Sequence, residues 1–159
     1  MRTLEELNKF FDKNKMHRYS DHVNSYIFNV GGEKLKRRKS GWGYYYDPEF
    51  KGGYRIGCSV SQATFCCGVS EMGSFQGANA HQKIWEAILE YVIQTEKLQY
   101  LRCETLSRKS DFKVLDKALE KVGFRLVVAL PSRHNVDLAP DDRYDVKVWE
   151  WLEPAKTGE

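Results

Sequence analysis

Residues 99–128 read Q-Y-L-R-C-E-T-L-S-R-K-S-D-F-K-V-L-D-K-A-L-E-K-V-G-F-R-L-V-V, and they decide the fold. Residues 100–106 are a short run with apolar and aromatic members, the composition of a strand. Residues 107–111 are polar turn chemistry, with Ser110 or Asp111 able to cap a helix start. Phe112, Leu115, Leu119 and Val122 then recur at intervals of three and four, lining one helical face. Gly123 suits the left-handed position just past a helix end, and Phe124 can fold back onto the last turn. Residues 125–130 are almost unbroken apolar, which predicts a strand buried on both faces.

Working outward, the periodicity predicts further elements. Thr3 and Glu6 form a capping box for a helix over residues 4–14, with Leu4, Leu7, Phe10 and Phe11 inward. Residues 17–21 read as a polar connector, and residues 23–30 alternate as a strand stopped by Gly31-Gly32. Residues 54–60 and 64–71 read as a hairpin turning on Ser61-Gln62. Asn79 with Gln82 can cap a long helix carrying Ile84, Trp85, Ile88, Leu89 and Val92 on one side. Residues 131–143 read as a turn-rich loop and 144–152 as a last strand. Strands first, then strand-helix alternation, imply an α/β fold: a mixed, mostly antiparallel sheet flanked by helices. One domain is expected over residues 1–153, with 154–159 a flexible tail.

Composition narrows the function classes. A chain of 159 residues buries roughly 70% of its unfolded surface and supports a full core. The net charge of +3 is too small to demand a nucleic-acid partner. No segment approaches the roughly 18 apolar residues of a membrane span, so no membrane partner is expected. Glu5 and Glu6 break the layout of a signal peptide, making the cytoplasm the default location. Cys58, Cys66, Cys67 and Cys103 fit neither a disulfide framework nor a zinc spacing, and read as buried or half-buried free thiols. No metal site is expected.

The order of elements from about residue 23 to residue 152, with the helix end L-E-K-V-G-F over 119–124, resembles the GNAT superfamily of N-acyltransferases. The resemblance implies an acyl-CoA donor, acetyl-CoA in the simplest case, and an amine acceptor. It implies that the helix starting near Ala80 receives the CoA pyrophosphate on its first amides, a sensible anion site because dipole and free N–H groups coincide there. Gly73, Ser74, Gln76, Gly77, Ala78, Asn79 and Ala80 would then form the cradle. The chain departs from the family's pattern at Ser74 and Asn79 in that loop, and at Leu119 and Phe112, where the family carries a tyrosine acid and an asparagine.

Acyl transfer to an amine needs a base for the attacking ammonium and an acid for the leaving thiolate. Glu71 and Glu104, near strand ends in this mapping, are the carboxylates best placed. Ser107, Tyr100 and Tyr91 are candidates for the acid. The plain reading of each carboxylate is a half-exposed strand residue paired with Arg or Lys.

The run Lys34–Lys39, containing Lys36, Arg37, Arg38 and Lys39, is followed by Trp42 and three tyrosines. Cations attract phosphate and aromatics stack on bases, so this stretch fits nucleic acid or an acidic protein. The plainer reading is an edge strand guarded by charge, with core aromatics after it. Three functions stay open: an acyl-CoA-dependent N-acyltransferase, a non-enzymatic binding protein on a degenerate GNAT-like fold, and a nucleic-acid-binding or nucleic-acid-modifying protein using residues 34–46. Acceptor and oligomeric state are not legible.

Overall fold

The computed structural model describes residues 1–19, 24–31, 37–40, 43–46, 54–70, 82–107, 113–134 and 143–155. Their elements run α1 (Leu4–Lys13), β1 (Met16–Tyr19), β2 (Ser25–Val30), β3 (Arg37–Ser40), β4 (Gly43–Tyr46), β5 (Tyr54–Ser61), β6 (Thr64–Ser70), α2 (Gln82–Thr95), β7 (Tyr100–Ser107), α3 (Lys113–Val122), β8 (Arg125–His134) and β9 (Arg143–Leu152). Seven strands form one sheet in the order β1-β2-β5-β6-β7-β9-β8, and β3 pairs with β4 separately. Every neighbouring pair is antiparallel except β6 and β7. The fold is the expected α/β arrangement.

Alternation divides the sheet cleanly. Register aligns Phe28 with Ile56, Val60 with Phe65, Phe65 with Cys103 and Cys103 with Trp149, so these side chains share one face. They are buried with Leu7 and Phe11 of α1, Trp85, Ile88 and Leu89 of α2, and Leu115 and Leu119 of α3. α1 lies against α2, and α2 against α3, so the helices make a single layer. The opposite face carries Ser25, Ser59, Thr64, Cys66, Arg102, Glu104 and Glu150, all half-buried or exposed, with Asn29 the buried exception.

Local chemistry places the helices. Thr3 Oγ1 accepts the Glu6 N–H at 3.1 Å, capping α1. Phe124 N–H reaches Leu119 O at 2.9 Å and Gly123 N–H reaches Glu120 O, closing α3 in a Schellman motif. Gly123 holds φ +115°, and Phe124 is buried as expected.

Five expectations need correction. Residues 16–19 are a strand, not a connector: Met16 is buried and Arg18 stacks over Phe11, so a short polar sequence still forms an edge. The β5–β6 turn falls on Gln62-Ala63, one residue later than read, with both at positive φ as a two-residue hairpin requires. Leu4 is exposed, because α1 presents Leu7 and Phe11 inward. Residues 131–134 belong to β8 rather than to a loop. Most important, β8 is the outer strand, and its apolar residues 126–130 are exposed rather than doubly buried. β9 inserts between β7 and β8, which turns a run that reads as core into an edge.

Residues 37–40 and 43–46 are likewise no edge of the main sheet. β3 and β4 form their own hairpin, whose register sets Arg37 opposite Tyr46, Arg38 opposite Tyr45 and Lys39 opposite Tyr44. Lys36 and Trp42 lie outside the described residues.

Candidate active site

Among the described strands, the one parallel seam is also the shortest. β6 and β7 align only at Thr64↔Arg102 and Phe65↔Cys103, although β6 runs on to Ser70 and β7 to Ser107. Beyond Phe65 and Cys103 the two strands part. Arg102 N–H donates to Ala63 O at 2.8 Å, which fixes the phase of the ladder. By alternation the backbone N–H and C=O of Cys67 and Val69, and those of Glu104 and Leu106, point into the gap. Backbone polar groups in a crevice need a partner, supplied by water or by a ligand. In α/β sheets ligands collect outside the carboxyl ends of parallel strands, which is where this gap opens.

In the chain, α2 is the helix that joins the two parallel strands. α2 carries no acidic residue in its own first turn, so the helix itself does not neutralise its positive end. Gln82, at that end, shares a surface depression of about 380 Å³ with Lys117, Glu120 and Lys121 of α3.

Glu104 is the first β7 residue past the seam and faces away from the helices. Its carboxylate is half-exposed and accepts from Arg102 Nη2 at 2.7 Å, the pairing that the plain reading anticipates. Cys66 stands opposite on β6 and is exposed, not buried or half-buried as expected; alternation puts it on the open face, while Cys58 and Cys103 are buried among the core side chains. Ser107 ends β7 on the gap side. Tyr100 sits at the other end of β7, where its hydroxyl donates to Glu150 Oε1 at 2.9 Å; this bond, more than burial, raises its pKa. The Tyr91 ring packs edge-on to Phe11, Phe28 and Tyr26, against β2 and two strands from the gap. Glu71, Gly73, Ser74, Gln76, Gly77, Ala78, Asn79 and Ala80 lie outside the described residues, directly after β6.

The β7 wall of the gap is pinned from beneath by a chain of polar contacts that periodicity does not single out. Trp149 Nε1 donates to Thr105 Oγ1 at 3.3 Å, Thr105 Oγ1 donates to Asp116 Oδ1 at 2.8 Å, and Lys147 Nζ donates to Asp116 Oδ2 at 2.9 Å. Thr105 and Asp116 are buried. The signal was Asp116 itself, a carboxylate next to Leu115 on an otherwise apolar helical stripe.

Among the described residues no cluster of His, Cys, Asp and Glu could hold a metal ion. Nor is any described helix long and apolar enough to cross a membrane.

No protein-family model matches the chain, and no curated protein matches it. Solved structures to which the chain is similar include acetyltransferases. The ribosomal-protein-S5-alanine acetyltransferase from Vibrio fischeri is 12% identical, with 95% of this chain and 70% of that one covered, at a TM-score of 0.48. An acetyltransferase of the GNAT family from Streptococcus pneumoniae is 11% identical, covering 97% and 78%, at 0.46. A mutant of spermidine N-acetyltransferase SpeG from Vibrio cholerae is 11% identical, covering 96% and 76%, at 0.42. Strand order, the parallel pair β6–β7 and the helix between those two strands follow the order of elements that the sequence resemblance implied.

Proposed function

We propose that the chain is an acyl-CoA-dependent N-acyltransferase, with acetyl-CoA the simplest donor and an amine the acceptor. The observation that carries this reading is the parting of β6 from β7. It leaves ladder amides of Cys67 and Val69 facing the gap between the two strands. A pantetheine arm is an extended chain with two amides, so it can continue a β ladder where a strand is missing. The pyrophosphate would lie on the first amides of α2 and residues 73–80, with Lys117 and Lys121 adding positive potential.

An acyl-CoA supplies the thioester whose carbonyl carbon the amine attacks while its C–S bond breaks. The N–H of Cys67 or Val69 holds the carbonyl oxygen as charge develops on it. Glu104, released from Arg102 or acting through water, takes the proton that the ammonium must lose; Glu71 is the second carboxylate near this end of β6. Ser107, on the gap segment of β7, is better placed than Tyr100 to hand a proton to the leaving sulfur.

Titration with acetyl-CoA and with CoA, by calorimetry and thermal shift, tests the reading. Micromolar binding stabilises the fold by about 2.7 kcal/mol at a hundredfold excess over Kd. No binding at millimolar ligand would sink it. Given binding, Glu104→Gln should lower turnover about a hundredfold or more with unchanged CoA affinity. Unchanged turnover would return Glu104 to an ordinary ion pair.

One observation favours a second reading, an anionic partner held on the β3–β4 hairpin. That hairpin stands apart from the main sheet, and its register sets three cations across from three tyrosines. Binding of RNA or DNA that weakens with salt and is lost when Arg37, Arg38 and Lys39 are neutralised would support it. Absence of binding at low salt would dismiss it.

A further inference from the structure

Gly57 stands in the middle of β5, where an alternating strand ordinarily places a side chain to pack. None of the usual reasons for a glycine holds there. Its φ is not positive, and the ladder runs unbroken on both sides, with Ile27 opposite on β2 and Gly68 opposite on β6. Crowding does not require it either, because a Cβ at Gly57 would meet no heavy atom within 4 Å. A strand glycine without bulge, turn or clash marks a place where another molecule approaches the backbone. Gly57 and Gly68, side by side, leave this level of β5 and β6 without a side chain on the open face. A depression of about 280 Å³ lies there, with Ser25 and Ile27 on its β2 side and Ser59 and Cys66 next to Gly57. None of the described residues that line it is charged. It reaches β6 at Cys66, the residue that stands across the gap from Glu104.

We propose that this depression selects the acceptor, a small monoamine whose flat, uncharged body lies over Gly57 while its ammonium sits at Glu104; this rests on the acyltransferase reading above. β5 and β7 are two strand spacings apart, roughly 10 Å, and more where the seam opens. An amine on a short arm from a single aromatic ring spans most of that distance. The ring can lie flat on the glycine backbone, because no side chain stands in its way there. Ile27 gives it an apolar neighbour, and the hydroxyls of Ser25 and Ser59 can meet a polar substituent. A polyamine would lay a second cation over residues that offer it no carboxylate. That charge would lose water without gaining a partner, which sets polyamines behind monoamines.

Calorimetry and turnover on the full chain, with 2-phenylethylamine, spermidine and methylamine as probes, test the proposal. 2-Phenylethylamine should bind at or below about 1 mM. With acetyl-CoA present, its kcat/KM should exceed that of spermidine about tenfold or more. Gly57→Leu fills the depression, and should raise KM for 2-phenylethylamine about tenfold or more while CoA affinity and methylamine turnover stay unchanged. Ser59→Leu, on the same face, should do the same and covers the case of a Gly57 variant that does not fold. Failure to bind CoA with 2-phenylethylamine binding intact would sink the transferase reading and leave the depression an amine site. Absence of affinity for 2-phenylethylamine, a preference for spermidine, an unchanged KM in both variants, or an equal loss of methylamine turnover would overturn the proposal.

Discussion

Two seams of the same strand differ. β6 aligns with β5 over seven residue pairs but with β7 over two, and β7 in turn aligns with β9 over eight. Strand length does not explain the contrast, because β6 and β7 both continue past the point where they part. The antiparallel seams are joined by a tight turn or by long cross-strand register, which reward pairing along the whole strand. The parallel seam is joined only through α2, and there the sheet gives up hydrogen bonds and opens a crevice. One half of the molecule is therefore β1-β2-β5-β6 and the other β7-β9-β8, and the helices hold them together.

Breaking that connection should have the largest effect. α2 buries Trp85, Ala87, Ile88, Leu89 and Val92 against the sheet. Trp85→Ala should cost about 3–5 kcal/mol, read as a cooperative loss of stability in denaturant. A cost below about 1 kcal/mol would mean the halves do not depend on α2.

Next comes the polar pin of the second half. Asp116→Ala leaves Thr105 and Lys147 without their acceptor beneath β7 and β9. The partly exposed Lys147 regains water, so the expected loss is about 2 kcal/mol rather than the cost of a fully buried pair. That lowers Tm by about 4–8 °C in a chain of this size. Equal stability of the variant would make the network ornamental.

The first half has its own pin, and pH sharpens the comparison. The Tyr26 hydroxyl donates to Glu96, tying β2 to the end of α2. Burial, then this bond, raises the Tyr26 pKa above its ordinary value of 10. The folded state thus holds the proton more tightly than the unfolded chain. The stability from this contact is whole below pH 10 and is lost as pH rises toward the folded-state value. Tyr26→Phe should flatten the stability profile above pH 10 and leave its acid side unchanged; an identical alkaline slope in the variant would clear Tyr26 of the role.

The same contrast explains what the residues disclosed. Faces with a period were legible: the inward stripe of α2, the capping by Thr3, and the closure of α3 at Gly123 all follow from local chemistry. Placement within the sheet was not. Residues 125–130 have the composition of a buried central strand, and only the insertion of β9 makes them an edge. The gap is invisible to periodicity too, because paired and unpaired parts of β6 share one alternating pattern. Glu104 was legible as a carboxylate near a strand end, whereas its Arg102 partner follows from strand alternation on one face. Asp116 passed unmarked beside the apolar stripe of α3, and its partners Thr105 and Lys147 come from strands that sequence distance separates.

Amide hydrogen exchange along β6, with and without CoA, bears most directly on the open seam. The ladder predicts that Gly68 and Cys66, which face β5, are protected at all times. Cys67 and Val69, which face the gap, should exchange much faster in the free protein and become protected when CoA is added. Equal protection of all four amides without ligand would contradict the account, because it would mean that the seam between β6 and β7 is closed.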